Sequence, residues 1–292
     1  MGFSSLTLRP QCNPPVEARQ LVRRMKGGAQ AHLIEGNDGN CYVVKFQNNP
    51  QHRRILINEL FASIILRQLQ IAAPEFRFIQ ISPDFLAANP KVKVEVGRQQ
   101  LPPDVGLHFG SRYPGHPSTT PVFDLIPDRM FAQLANYEQF RGALVFDRWV
   151  SNVDSRQAIF LRTRINEWLV GPNISQRNVG FIALMIDHGF IFAGPYWRLS
   201  QSAITGLYAR RHVYTGVRSL DDFEPWLSRV DDFPSRIFED ALRQIPEEWM
   251  EGDESALHKL LEQLIRRQKR IREIVREARD GDATLFTQWK EF

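Results

Sequence analysis

Two aspartates stand where apolar runs begin or end. Asp154 lies in Asn152-Val153-Asp154-Ser155-Arg156-Gln157, just before Ala158-Ile159-Phe160-Leu161, and Asp187 closes Phe181-Ile182-Ala183-Leu184-Met185-Ile186 and is followed by His188-Gly189. Short apolar runs of this kind read as buried strands, so the two carboxylates fall at opposite ends of adjacent strands. One carboxylate could orient an attacking hydroxyl while the other holds a metal-bound phosphate. That chemistry also needs a cation for the phosphates, and Lys45 supplies one from the apolar run Cys41 to Phe46. A lone strand lysine is often a snorkelling side chain. A lone glutamate at the start of a helix, such as Glu59, usually complements the helix dipole. Taken in order, however, Lys45 and Glu59 have the spacing of the pair that holds a lysine against nucleotide phosphates.

These residues need elements to place them. Residues 1–15 are polar, end in Pro14-Pro15, and are expected to be a flexible lead-in. Val16 to Met25 has few apolar residues and carries no predicted element. Ala29 to Glu35, the turn Gly36-Asn37-Asp38-Gly39-Asn40, and Cys41 to Phe46 predict a β-hairpin, with Gly27 and Gly28 at the entry to its first strand. Ile57, Leu60, Phe61, Ile64, Ile65 and Leu69 recur at helical spacing and predict a helix over 55–69 with one broad apolar face. Phe76 to Ile81 and Lys91 to Val96 predict further strands, the second alternating apolar and charged. Leu101 to Thr120 is rich in Pro, Gly, Ser and His and is expected to be a loop. His108 and His116 in it lack a third ligand at metal-like spacing. Pro121 to Pro127, fenced by prolines, suits a linker. Asp128 to Val150 predicts one long helix, Arg162 to Asn178 a polar excursion between two strands, and Ser255 to Ala278 a last long helix.

The bulk numbers bound the answer. A chain of 292 residues with 43% hydrophobic and 24% charged residues can bury a large core as one big domain or two lobes. Its net charge of +4 is compatible with a polyanionic ligand such as a nucleotide and does not require nucleic acid. The cluster Arg266, Arg267, Lys269, Arg270 and Arg272 has flanking acids and no interleaved aromatics. It therefore reads as a solvated helix face, and no specific nucleic-acid binding is expected. Two cysteines, Cys12 and Cys41, make no disulfide framework. With no transmembrane-length apolar run and no signal-peptide pattern at the start, a cytoplasmic protein is expected.

In this order of elements the chain resembles the protein-kinase-like fold, and more narrowly the HipA-like kinases, with a distant similarity to type II phosphatidylinositol 4-kinases. The residues that carry the resemblance are Val43-Val44-Lys45, Glu59, Asn152-Val153-Asp154 and Ile186-Asp187-His188-Gly189, over roughly residues 20–195. The resemblance implies an α+β, bilobal protein-kinase-like fold. Residues 16–120 would form an N-lobe of small antiparallel β-sheet with one helix, 121–127 an interlobe linker, and 128–292 a mainly helical C-lobe. It implies ATP and Mg as cofactors, and an unknown acceptor that is a protein Ser/Thr or a lipid. Asp154 would be the base, with Lys45 and Glu59 completing the catalytic set. Gly27, Gly28, Ala29 and Gln30 would cover the nucleotide phosphates that Lys45 binds, and Asp187 would hold the metal. A kinase places an Asn as second metal ligand five residues after its catalytic Asp; here that position is Ile159. Gln157 and Asn152 are the amides at hand, and Asp147 with Asn152 forms an alternative pair at the kinase spacing. A nucleotide-binding pseudokinase acting as a regulatory module is the reading from a different class.

Overall fold

A computed structural model of the chain describes residues 14–169, 179–199, 206–281 and 284–289. Most of the expected lead-in, Cys12, and residues 170–178 of the polar excursion lie outside them. Five strands close into a barrel in the order β1, β2, β3, β7, β4. They are β1 (Val16–Arg24), β2 (His32–Gly36), β3 (Cys41–Lys45), β4 (Phe76–Ile81) and β7 (Gly106–Arg112). The hairpin β2–β3 forms as its turn residues require. The small antiparallel sheet expected is a closed barrel, antiparallel except where Val16 and Glu17 pair in parallel with Ile79 and Gln80 and close it. A separate small hairpin joins β5 (Val94–Val96) to β6 (Gln99–Leu101).

Two barrel strands escape sequence reading. β1 alternates only from Val16 to Ala18, because register shifts after Ala18 and after Leu21 break its period. Gly27 and Gly28 lie just ahead of β2, as expected, in the turn that joins it to the unexpected β1. β7 contradicts the loop expected over 101–120. Its two glycines, Gly106 and Gly110, lower strand propensity, yet a side chain at Gly110 would come within 2.4 Å of Ile79 Cγ1 on the neighbouring strand. Gly110 leaves the space that the Ile79 side chain occupies. The alternation expected over 91–96 holds at Val92 and Val94, buried in the barrel core beside Ile34, Val44, Phe46 and Ile79, but Val96 is exposed and the strand itself is only Val94–Val96.

Helix α1 (Arg54–Gln68) follows β3, and the short α2 (Pro83–Ala88) follows β4. Ile55, Leu56, Ile57, Leu60, Phe61, Ala62, Ile65 and Leu66 of α1 are all fully buried, so the helix is covered all round and not along a single face. Beyond the barrel, β8 (Val122–Phe123) pairs with β9 (Gln157–Arg164), which pairs with β10 (Val179–Ile186). The single helix expected over 128–150 is instead α3 (Asp128–Phe131) and α4 (Gln139–Trp149). Between them Asn136 exchanges two hydrogen bonds with the Ala183 backbone, and Ala135 N–H donates to Phe181 O at 2.9 Å. That segment has docked on a strand edge, which a helix could not do. The remaining helices are α5 (Trp226–Asp231), α6 (Arg236–Leu242), α7 (Glu247–Met250), α8 (Glu254–Gln268) and α9 (Ile271–Gly281). The last two replace one expected helix, broken near Lys269, whose ammonium donates to Asp231 O at 2.9 Å. The basic cluster there is engaged: Arg270 pairs with Glu273, Arg272 with Glu224 and Asp231, and Arg266 with Glu262. No described helix is long and apolar enough to cross a membrane.

His108, expected in a loop, sits fully buried on β7. Its Nδ1 accepts from Gln47 N–H at 3.0 Å, which leaves the Nε2 proton for Asp104 O at 2.9 Å. Burial pushes its pKa down to about 4. The unfolded chain, with an ordinary histidine, binds a proton that the folded chain refuses between about pH 6.5 and 4. Its contribution to stability is therefore complete above that window and lost as pH falls through it. His108→Gln should flatten the pH dependence of chemical unfolding there by up to about 1.4 kcal/mol per pH unit, the share of one proton. An unchanged slope would refute the assignment.

Candidate active site

Lys45 alternates with Val44 and Phe46, whose side chains fill the barrel core, so its own side chain faces the outside of the barrel, where α1 covers it. Only 8% of Lys45 and 3% of Glu59 is exposed. The Lys45 ammonium bonds Glu59 Oε1 and also donates to Asp187 Oδ1 at 2.8 Å. Glu59 Oε1 takes a further hydrogen bond from His188 N–H at 2.9 Å, so α1 and the end of β10 are joined through one carboxylate. Burial works against the ammonium, but the two carboxylates outweigh it and hold the Lys45 pKa above the ordinary lysine value. Lys45 in turn holds the Asp187 carboxyl below the usual carboxylate range, against the opposing effect of burial. Burial pushes the Glu59 pKa up, against the opposing pull of Lys45.

Asp187 terminates β10 with φ +56°, a left-handed conformation unusual for a residue with a side chain. Gly189 lets the chain then pass α1 closely, since a Cβ there would lie 2.6 Å from Ile55 Cγ2. Asn58, next to Glu59 and fully buried, directs its amide N–H group at the carbonyls of Gly189, Ile191 and Gly194 and accepts from Trp197 Nε1. The β9–β10 register sets Gln157 opposite Ile186, and Gln157 Nε2 lies 3.3 Å from Asp187 Oδ2.

Asp154 sits in the loop between α4 and β9. This loop is laced to the chain after Asp187: Val153 N–H donates to Phe190 O at 3.1 Å, and Phe192 N–H to Val150 O at 2.7 Å. Asp154 is part-exposed, and its Oδ1 accepts from Ser155 N–H at 2.7 Å. The alternative carboxylate, Asp147, is 1% exposed and has both oxygens engaged by Arg156. Asn152 is equally buried. Its amide donates to Asp147 Oδ1 at 2.9 Å and accepts from Asp154 N–H at 3.2 Å, so both ends are taken up inside the loop. Ile159 packs with Leu161, Ile182 and Leu184 in an apolar cluster. Burial and the adjacent Arg156 guanidinium hold the His188 pKa well below its ordinary value, so its ring is neutral.

The turn carrying Gly27, Gly28, Ala29 and Gln30 lies at the same barrel end as Lys45, because His32 pairs with Val44 in the β2–β3 register. Gly27 has φ +121°, and a Cβ on Gly28 would meet Gln51 Nε2 at 2.6 Å. The Gln30 side chain is tied to the β5 hairpin through Glu95 N and O. A cavity of about 970 Å³ opens elsewhere, walled by Ile64, Ala72, Phe76, Tyr113, Leu161 and Trp168. None of Lys45, Glu59, Asp154 or Asp187 lines it; converging charge is what marks the site.

Among the described residues no cluster of three or more His, Cys, Asp or Glu could hold a metal. Mg²⁺ does not need one, since it is commonly held by one or two carboxylates together with phosphate oxygens. The Asp187 carboxylate and the Gln157 amide are hard-oxygen donors of the kind it takes. Sequence reasoning missed Arg156 and Asn58. Asn58 left a trace, a polar residue amid an apolar helical run; Arg156 left none.

A strand lysine ion-paired to a helix glutamate and touching an aspartate two residues before a glycine is the arrangement of protein-kinase-like phosphotransferases. The model of the HipA-like kinase family matches residues 18–279. The chain belongs to the HipA-like kinase family. Among solved structures, the crystal structure of the Golgi casein kinase is similar, with a TM-score of 0.48 and 12% identity over 93% of this chain and 75% of that one. The Golgi casein kinase with Mn/ADP bound gives a TM-score of 0.45 and 11% identity with the same coverage. No curated protein matches the chain in sequence.

Lys45→Met would leave Glu59 buried without its partner, a loss of about 3–5 kcal/mol in chemical denaturation. Adding Glu59→Leu should restore most of it. A single-variant loss below about 1 kcal/mol would show that the pair is not buried in solution.

Proposed function

We propose that the chain is an ATP-dependent phosphotransferase that moves the γ-phosphate to a hydroxyl, with a protein Ser or Thr as acceptor. In this reading residues 16–120 are a nucleotide-binding lobe, 121–127 a linker, and 128–292 a helical lobe holding the catalytic loops. The observation that supports it most is the convergence of Lys45, Glu59 and Asp187 from three separate elements.

Each residue then has a role that its surroundings permit. Lys45, kept charged by its two carboxylates, binds the α- and β-phosphate oxygens while Glu59 fixes its direction. Backbone N–H groups of the Gly27 to Gln30 turn cover the phosphates. Asp187, kept ionised by Lys45, would hold Mg²⁺ together with Gln157. Bound Mg–ATP supplies the phosphoryl group and neutralises part of its charge. Asp154, the accessible carboxylate of its loop, orients the acceptor hydroxyl and takes its proton.

A second reading has a specific observation in its favour. Ile159 stands where a kinase has its second metal-ligand Asn and packs in an apolar cluster, which suits a pseudokinase that binds nucleotide without transfer. One experiment separates the two. With γ-labelled ATP and cell extract, the wild type should transfer label to protein. Asp187→Asn and Asp154→Asn should each lower transfer by at least about 100-fold, the scale of a lost catalytic acid or base. A Mg–ATP thermal shift without transfer favours the pseudokinase, label in lipid moves the acceptor class, and no shift at all removes both readings.

A further inference from the structure

Below the two candidate carboxylates lies a buried polar cluster that the roles above leave unused: Asp147, Asn152, Arg156 and His188. Arg156 is its centre. Nε and Nη2 of its guanidinium donate to the two Asp147 oxygens. Its Nη1 donates to Ile186 O at 2.9 Å and lies 2.9 Å from His188 Nδ1. His188 Nε2 lies 3.2 Å from Met185 O, so a proton there leaves Nδ1 as the acceptor that the guanidinium needs. Arg156 therefore grips the residue on each side of Asp187.

The grip continues to the other carboxylate. Asp147 accepts from the Asn152 amide, Asn152 N–H donates to Asp147 O at 2.9 Å, and Asn152 Oδ1 accepts the Asp154 N–H. An unbroken chain of hydrogen bonds thus runs from both neighbours of Asp187 to the backbone of Asp154. A left-handed φ on an aspartate persists only where the surroundings over-determine it, and Arg156 supplies two of the bonds that do so.

We propose that Arg156 is a positioning residue: it holds Asp187 in its left-handed conformation and ties it to the Asp154 loop, keeping the two carboxylates in one relative placement. This rests on the roles given to Asp187 and Asp154 above. The planar guanidinium fork is what the geometry requires. A lysine could neutralise Asp147 but could not also span to Ile186 and His188.

The test uses the full chain. Arg156→Lys keeps a charge against Asp147. The pair Asp147→Leu with Arg156→Met removes both charges, so that no unpaired ion is buried. Mn²⁺ affinity is read by electron paramagnetic resonance at saturating ATP, ATP affinity is read without metal, and hydrogen exchange is followed at amides 186–190. Both variants should hold Mn²⁺ about 10–100-fold more weakly, change metal-free ATP affinity less than about twofold, and exchange faster at 186–190. Label transfer should fall in kcat more than in KM. Mn²⁺ affinity and exchange equal to wild type in a folded variant would overturn the proposal. If the wild type itself holds no Mn²⁺ with ATP, the reading of Asp187 fails, and exchange at 186–190 still decides whether Arg156 holds that segment.

Discussion

An ammonium and a carboxylate buried together make a demand that the rest of the molecule has to meet. Taking either ion out of water is unfavourable by several kcal/mol, and only close pairing with further hydrogen bonds offsets it. Lys45 and Glu59 meet this with Asp187 and the His188 N–H. The barrel must therefore end β3 at a fixed height, and α1 must enter at a fixed depth. The end of β10 must then arrive at the same point from far along the chain.

Two buried polar anchors make this arrival reproducible. Asn58 ties α1 to the carbonyls after Gly189, while Arg156 ties the loop before β9 to the peptides around Asp187. Each spans elements that meet nowhere else in sequence. A half-satisfied polar network would be worse than an apolar core, so these anchors specify one arrangement as well as stabilising it.

The residues that converge at the candidate site stand out in residue order alone. Lys45 stands near the end of a β-branched and aromatic run, Asp187 closes an apolar run, and Glu59 stands in a long apolar helical run; local pattern suffices for such features. What was not legible depended on contacts between distant segments. β7 reads as a loop because the reason for Gly110, the Ile79 side chain on β4, lies elsewhere in the chain, and β1 loses its alternation to register shifts. The stretch 128–150 reads as one helix because nothing local signals that Asn136 docks on β10. Sequence favours Asp154 over Asp147 only because Asp147 falls inside a predicted helix; that Arg156 engages both Asp147 oxygens could not be read there.

Helix α1 is enclosed by the barrel on one side and on the other by α6, α7 and the chain after Gly189, with Phe61 against Phe192 and Phe238. A helix that carries one half of a buried ion pair could act as a lever, by swinging outward to break the pair. Here that lever is jammed. Exposing even three or four of the buried side chains of α1 would cost about 5–10 kcal/mol, beyond the few kcal/mol at which a minor conformer is populated. Control of this protein therefore falls to what gains access to a standing site.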